Sequence, residues 1–233
     1  MSAAPRRIAL VLLAFALQGV ASASQIVFVG SFATDDQVQL FLISVYSPSS
    51  VMFRTWSFAG GTNAQGAVIP GGSFAPVLSL FESRPGAQGL LIASDHDGYL
   101  AGACTRATDP ASGFAWDACI TADLSAGDYV LALTEDDNLP FGPTLADGFA
   151  RTGQGNFTGP SVFGAAGEGL SFILVDGSQR TPAWAVDIAG VGPTSAREVG
   201  AIPEPGPLIL LLSGIVGLAE LARRLNSHPQ LTR

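Results

Sequence analysis

Residues 51–58 read VMFRTWSF, and the first six of them form two faces with a period of two. One face consists of Val51, Phe53 and Thr55, and the other of Met52, Arg54 and Trp56. This spacing is typical of a β-strand that buries one face and leaves a partly polar face outside. The segment therefore predicts a strand, and it sets the pattern for the chain around it.

Similar short runs recur along the chain. They lie at residues 37–42, 77–81, 90–93, 118–124, 129–134, 170–175 and 184–188. Gly, Pro, Asp and Ser separate these runs, and no internal segment sustains a 3.6-residue period. The sequence therefore predicts an all-β, antiparallel β-sandwich. The Gly- and Pro-rich stretches 59–76 and 138–169 are expected to be surface loops.

The composition excludes several classes of protein. Apolar residues make up 48% of the 233 residues and charged residues only 13%, which is too apolar for a wholly disordered chain. The formal net charge of −8 argues against a nucleic-acid partner, because phosphate binding needs a basic surface. We therefore expect a folded, acidic domain.

The N-terminus has the layout of a secretory signal peptide. Arg6 and Arg7 precede an apolar run at residues 8–17, and small residues follow at 21–23. These parts match the basic region, apolar core and cleavage site of such a leader. The alternative is a membrane anchor, but ten apolar residues are too few to cross a bilayer. We assign residues 1–23 to a signal peptide.

The C-terminus contains the motif Pro203-Glu204-Pro205, an apolar segment at residues 208–219, and the pair Arg223-Arg224. In this order they resemble the PEP-CTERM sorting signal, over residues 201–225, followed by a short tail at 226–233. The resemblance implies export, transient anchoring in the inner membrane by a short hydrophobic helix, and processing by an exosortase-type protease. The protein would then reach the cell surface or the extracellular polysaccharide. The alternative is a buried C-terminal helix of the domain.

The body, residues 24–200, carries a second resemblance. Its features are the segments Asp35-Asp36, Gly60-Gly61-Thr62-Asn63, Asp95-His96-Asp97-Gly98 and the run LSAGDYVLAL at 124–133. Together they look like exported PEP-CTERM proteins whose body is similar to the bacterial pre-peptidase C-terminal domain. The resemblance implies a jelly-roll-like β-sandwich.

Catalytic motifs are not evident in the sequence. The chain has two histidines, His96 and His228, and lacks the HExxH, GxSxG and P-loop patterns. We expect a non-enzymatic surface or extracellular-matrix protein, with His96 as a turn residue. A hydrolase is the remote alternative. The nearer alternative is a module that binds carbohydrate or a surface polymer on an aromatic platform, with candidates Trp56, Trp116, Trp184, Phe58, Phe74 and Tyr99.

Two cysteines are present, Cys104 and Cys119, with 14 residues between them. In an exported domain this pair predicts a disulfide that closes a turn-rich loop. The alternative is two free thiols.

Acidic residues cluster at 35–36, 95–97 and 135–137, and each cluster adjoins a predicted strand. The first precedes its strand and the other two follow theirs, so suitable strand directions would gather all three at one end of the sandwich. Hard cations relieve such repulsion. We therefore predict a calcium site with ligands Asp36, Asp95, Asp97 and Asp137. The alternative is that these residues are solvated turn formers.

Overall fold

The computed structural model describes residues 24–83, 89–98, 104–159, 170–190, 192 and 194–199. The predicted signal peptide, the sorting motif Pro203-Glu204-Pro205 and the pair Arg223-Arg224 lie outside these residues, as does Tyr99. Among the helices of the described part, none combines the length and the apolar character needed to cross a membrane.

The described chain forms eleven β-strands and one short 3₁₀ turn at Leu145–Asp147. The strands are β1 Ser24–Ser31, β2 Gln39–Val45, β3 Ser49–Thr55, β4 Gly61–Thr62, β5 Val68–Ile69, β6 Pro76–Glu82, β7 Leu91–Asp95, β8 Cys119–Leu124, β9 Gly127–Glu135, β10 Ala183–Gly190 and β11 Thr194–Val199. The prediction of an all-β, antiparallel fold is confirmed for the described residues. Strands β1, β4, β5 and β11 add to the predicted set.

Two antiparallel sheets pack face to face. One has the strand order β1-β10-β3-β8, and the other has the order β11-β2-β9-β6-β7. Strands β4 and β5 form a separate two-stranded ribbon. In β3 the alternation predicted from the sequence is observed, because Val51, Phe53 and Thr55 are buried while their neighbours are partly exposed.

The main core lies between the two sheets. Both contribute large apolar side chains at alternate positions, among them Phe41, Phe53, Leu131, Trp184 and Ile188. The Trp184 ring meets Phe41 edge to face, with centroids 5.8 Å apart. Such interleaving of alternate residues from two sheets is the packing expected of a sandwich.

The Gly- and Pro-rich stretches do more than connect strands. Phe149, from the stretch after β9, packs with Leu40 and Phe81 on the outer face of the second sheet. On the first sheet, the stretch that carries β4 and β5 is bound by Asp187, whose Oδ2 accepts from Ala64 N–H at 2.7 Å. Both outer faces are therefore partly covered by segments predicted as surface loops.

The strand predicted at residues 170–175 is wrong. Phe172 has a positive φ of 55°, and its N–H donates to the Asp35 carboxylate at 2.8 Å. The next N–H, of Ile173, donates to the Thr158 hydroxyl at 3.0 Å. Because these backbone groups bind side chains rather than a neighbouring strand, an apolar run that looks like a strand folds as an irregular loop.

Candidate functional site

Three acidic segments meet at one end of the second sheet. Leu78 of β6 stands opposite both Asp95 of β7 and Leu133 of β9, and Leu133 stands opposite Gln39 at the start of β2. The start of β2 and the ends of β7 and β9 therefore lie at the same end of the second sheet. Asn138 closes the group by donating from Nδ2 to the Asp36 carbonyl at 2.9 Å.

Asp95 is fully buried and bound by groups of the protein. Its Oδ2 accepts from the Arg106 guanidinium at 2.6 Å and from Cys119 N–H at 2.7 Å. The structure joins Cys119 to Cys104 in a disulfide, the predicted pairing, with the two Cα atoms 6.2 Å apart. Asp95 therefore anchors the disulfide-closed loop to the end of β7.

Asp35 and Asp36 organise two other loops. Asp35 Oδ2 accepts from Thr158 N–H at 2.9 Å and from the Thr158 hydroxyl, while Oδ1 accepts from Phe172 N–H. Burial raises the pKa of Asp35 although these hydrogen bonds act in the opposite direction. Asp36 Oδ2 accepts from Gly155 N–H at 2.8 Å.

Asp137 lies on the outer side of the group. It has a positive φ of 66°, and its carboxylate pairs with the Arg151 guanidinium at 3.3 Å. The same guanidinium lies 5.2 Å from the centroid of the Phe157 ring. Asp137 thus belongs to a partly exposed ion pair that holds the loop after β9.

A different trio comes together at the centre. His96 Nδ1 lies 3.8 Å from Asp97 Oδ2 and 3.7 Å from Asp136 Oδ1. All three atoms lie within 4.8 Å of one another, a spacing at which they could hold one metal ion. Burial, with nearby Asp97 as the next cause, raises the pKa of Asp136 to about 6.

Glu135 is the last residue of β9 and precedes Asp136 of this trio. The residue is 2% exposed, and Oε2 is buried with no hydrogen-bond partner within the described residues. Burial raises the pKa of Glu135 well above its ordinary value, and neighbouring carboxylates, including Asp35, Asp136 and Asp97, raise it further. Glu135 and Asp136 line a narrow cleft whose other walls include Trp116 and Ile173.

The ligand set chosen from the sequence is thus only partly assembled. Of Asp36, Asp95, Asp97 and Asp137, the structure places only Asp97 in the trio, and the other three carboxylates accept from protein donors. Sequence reasoning missed His96, Asp136 and Glu135 as the central groups. The inward period of two along β9, at Tyr129, Leu131 and Leu133, was a signal for Glu135, which continues it.

Three of the six aromatic candidates serve the protein interior. Phe58, Phe74 and Trp184 are buried. The Trp56 ring has the Arg54 guanidinium 3.6 Å from its centroid, and a Cβ on Gly61 would lie 2.6 Å from a ring carbon. Trp116 remains partly exposed, and its ring stacks on that of Phe114 with centroids 4.1 Å apart.

No protein-family model matches this chain, and no curated protein sequence matches it.

Proposed function

We propose that this chain is an exported, non-enzymatic protein of the cell surface or extracellular matrix, sorted through its PEP-CTERM-like tail. The observation that carries the proposal is the disulfide between Cys104 and Cys119. Stable disulfides belong to oxidising compartments outside the cytoplasm. The leader at residues 1–23 and the tail at residues 201–225 supply the matching export and sorting signals.

The strand order supports the finer assignment of a jelly roll. Within the two sheets, β1-β10-β3-β8 and β2-β9-β6-β7 follow the order of an eight-stranded jelly roll, and β11 is an extra strand beside β2. This is the fold implied by the resemblance to the pre-peptidase C-terminal domain. Such a domain is a stable scaffold for display outside the cell.

Sorting is tested by the mass of the mature protein. Expressed in cells that contain an exosortase, the full chain should lose both its leader and the segment that follows Pro203-Glu204-Pro205. Replacing both Pro203 and Pro205 by Ala should block the second loss, whereas Pro207→Ala is the matched control. A mature protein that still ends at Arg233 would contradict processing, and one that retains Arg6 and Arg7 would contradict export through a cleaved leader.

A second candidate function is binding to a surface polysaccharide. It is favoured by the Phe114 and Trp116 rings, which lie 4° from parallel, with Phe114 43% exposed. Sugar rings stack on such faces.

Affinity electrophoresis in gels containing the host's extracellular polysaccharide should show retardation that Phe114→Ala weakens. Phe141→Ala is the control, because Phe141 is a more exposed phenylalanine elsewhere. Equal migration of all three proteins with and without polysaccharide would exclude this role.

A further inference from the structure

The carboxylates at the acidic end divide into two groups. Asp35, Asp95 and Asp137 are held by protein donors, namely Thr158 with Phe172, Arg106 with Cys119, and Arg151. These three carboxylates fix loops. Asp97 and Asp136 instead face the His96 imidazole, at distances of 3.8 and 3.7 Å from Nδ1.

The distances suit a shared ion. Ligand atoms about 2.1 Å from a tetrahedral metal ion lie roughly 3.4 Å from one another. The two distances from His96 Nδ1 exceed that value by a few tenths of an ångström, which a side-chain rotation can close. His96 and Asp136 are partly exposed and Asp97 is exposed, so the trio lies at the surface, while the His96 Nδ1 atom itself is buried.

A second observation points to a cation at the same place. Glu135 is 2% exposed, and its Oε2 has no hydrogen-bond partner within the described residues. Burying a carboxyl oxygen without a partner is costly unless a cation or donor reaches it. Glu135 and Asp136 line the same cleft, so a cation held by Asp136 would reduce the cost of burying the Glu135 carboxylate.

The types of ligand atom in the trio distinguish between metal ions. Ca²⁺ takes six to eight oxygen ligands, whereas Zn²⁺ is commonly held by imidazole nitrogen together with carboxylate oxygen in a four-coordinate site. An imidazole at the centre of the trio therefore favours a borderline-soft ion over the calcium predicted from the sequence.

We propose that His96, Asp97 and Asp136 bind a divalent transition-metal ion of the Zn²⁺ type, with Glu135 as a further carboxylate on the buried side. This site is independent of the sorting function. The bound ion would link the turn after β7 to the turn after β9.

The test uses the full chain, purified in detergent and stripped of metal with a chelator. Titration calorimetry should show one Zn²⁺ per chain, and a hundredfold excess of Zn²⁺ over its Kd should raise Tm by at least about 5 °C. His96→Gln, Asp97→Asn and Asp136→Asn should each weaken Zn²⁺ binding by more than about tenfold. Bound Co²⁺ should give visible absorption bands that His96→Gln abolishes.

Two matched controls make the result specific. His228→Gln removes the other histidine of the chain and should leave Zn²⁺ binding unchanged. Asp123→Asn removes an exposed acid on β8 and should also leave it unchanged. If a site variant fails to fold in the metal-free state, the Co²⁺ spectrum of the unsubstituted protein decides between imidazole and all-oxygen ligands.

Three results would overturn the proposal. One is the absence of Zn²⁺ binding at millimolar metal. Another is loss of Zn²⁺ binding in His228→Gln but not in His96→Gln. The last is a melting temperature that rises more in Ca²⁺ than in Zn²⁺ and does so equally in His96→Gln, which would indicate an all-oxygen calcium site instead.

Discussion

Arg106 donates from Nη2 to Asp95 Oδ2 at 2.6 Å. Both side chains are buried, since that of Arg106 is 9% exposed and that of Asp95 is 0% exposed. Arg106 also donates from Nε to the Asp117 carbonyl at 2.9 Å. Both contacts lie within or beside the loop closed by Cys104 and Cys119. The loop is therefore attached to β8 of the first sheet by the disulfide and to β7 of the second sheet by a buried ion pair.

Asp95→Asn is expected to destabilise the protein by about 3–5 kcal/mol. The substitution removes the negative charge that faces a buried guanidinium, and breaking one side of a buried pair is costly. Urea unfolding of the full chain in detergent measures the change. Asp123→Asn, an exposed acid on β8, should change the free energy of unfolding by less than about 0.5 kcal/mol. Equal stability of the two variants would show that Asp95 and Arg106 contribute little as a pair.

Reducing the disulfide is expected to lower the free energy of unfolding by about 3 kcal/mol. On the chain-entropy model, opening a loop of this length gives the unfolded chain that much additional freedom. Unfolding is compared with and without reductant, and the double variant Cys104→Ser with Cys119→Ser is the control that reductant should not affect. Thiol labelling of the unreduced, denatured protein should find no free thiol. Two labelled thiols per chain would contradict the bond.

Trp56→Phe is expected to destabilise the protein by about 1–3 kcal/mol. Trp56 Nε1 donates to Asp187 Oδ2 at 2.6 Å, and Asp187 is 3% exposed. A phenylalanine keeps most of the ring but removes the donor, so a buried carboxylate loses a partner. Thermal unfolding measures the change, and Trp116→Phe, which can keep its stacking on Phe114, is the control. A larger loss in the control would mean that ring packing, rather than this hydrogen bond, matters.

The sequence was most informative where backbone direction alone decides the outcome. The period of two in β3 correctly separated Val51 and Phe53 from Arg54, because alternate side chains of a strand face opposite sides. Likewise, the acidic segments meet at one end of the second sheet because β2 runs antiparallel to β9. Both results follow from strand geometry and need no knowledge of side-chain partners.

The predicted calcium ligands could not be checked from the sequence, because the groups that bind these carboxylates are distant along the chain. Asp95 is taken by Arg106 from a loop with no periodic pattern, and Asp36 by Gly155 from more than a hundred residues away. The false strand at residues 170–175 has the same cause, because Asp35 captures the N–H of Phe172. Hydrogen bonds between side chains and remote loops leave no local signal in the sequence.

The last prediction concerns pH. In the folded protein the pKa of Asp136 is raised from its ordinary value of 3.8 to about 6, first by burial and then by Asp97. A raised pKa means that the folded state binds its proton more tightly than the unfolded state does. The contribution of Asp136 to stability is therefore complete below about pH 4 and is lost as the pH rises through 6. The full change corresponds to roughly 3 kcal/mol.

In the presence of chelator, the free energy of unfolding of Asp136→Asn should fall less between pH 4.5 and pH 7 than that of the unsubstituted protein. Asparagine does not titrate, so the difference between the two pH profiles reports the Asp136 carboxyl together with its repulsion of neighbouring groups such as Glu135. Glu135 remains in the variant, and its raised pKa leaves part of the slope, with the same sign. Urea unfolding at several pH values measures both profiles.

Asp123→Asn should follow the unsubstituted protein, because Asp123 is exposed. If Asp136→Asn also followed it, the Asp136 carboxyl would titrate alike in the folded and unfolded chains, and neither burial nor Asp97 would raise its pKa.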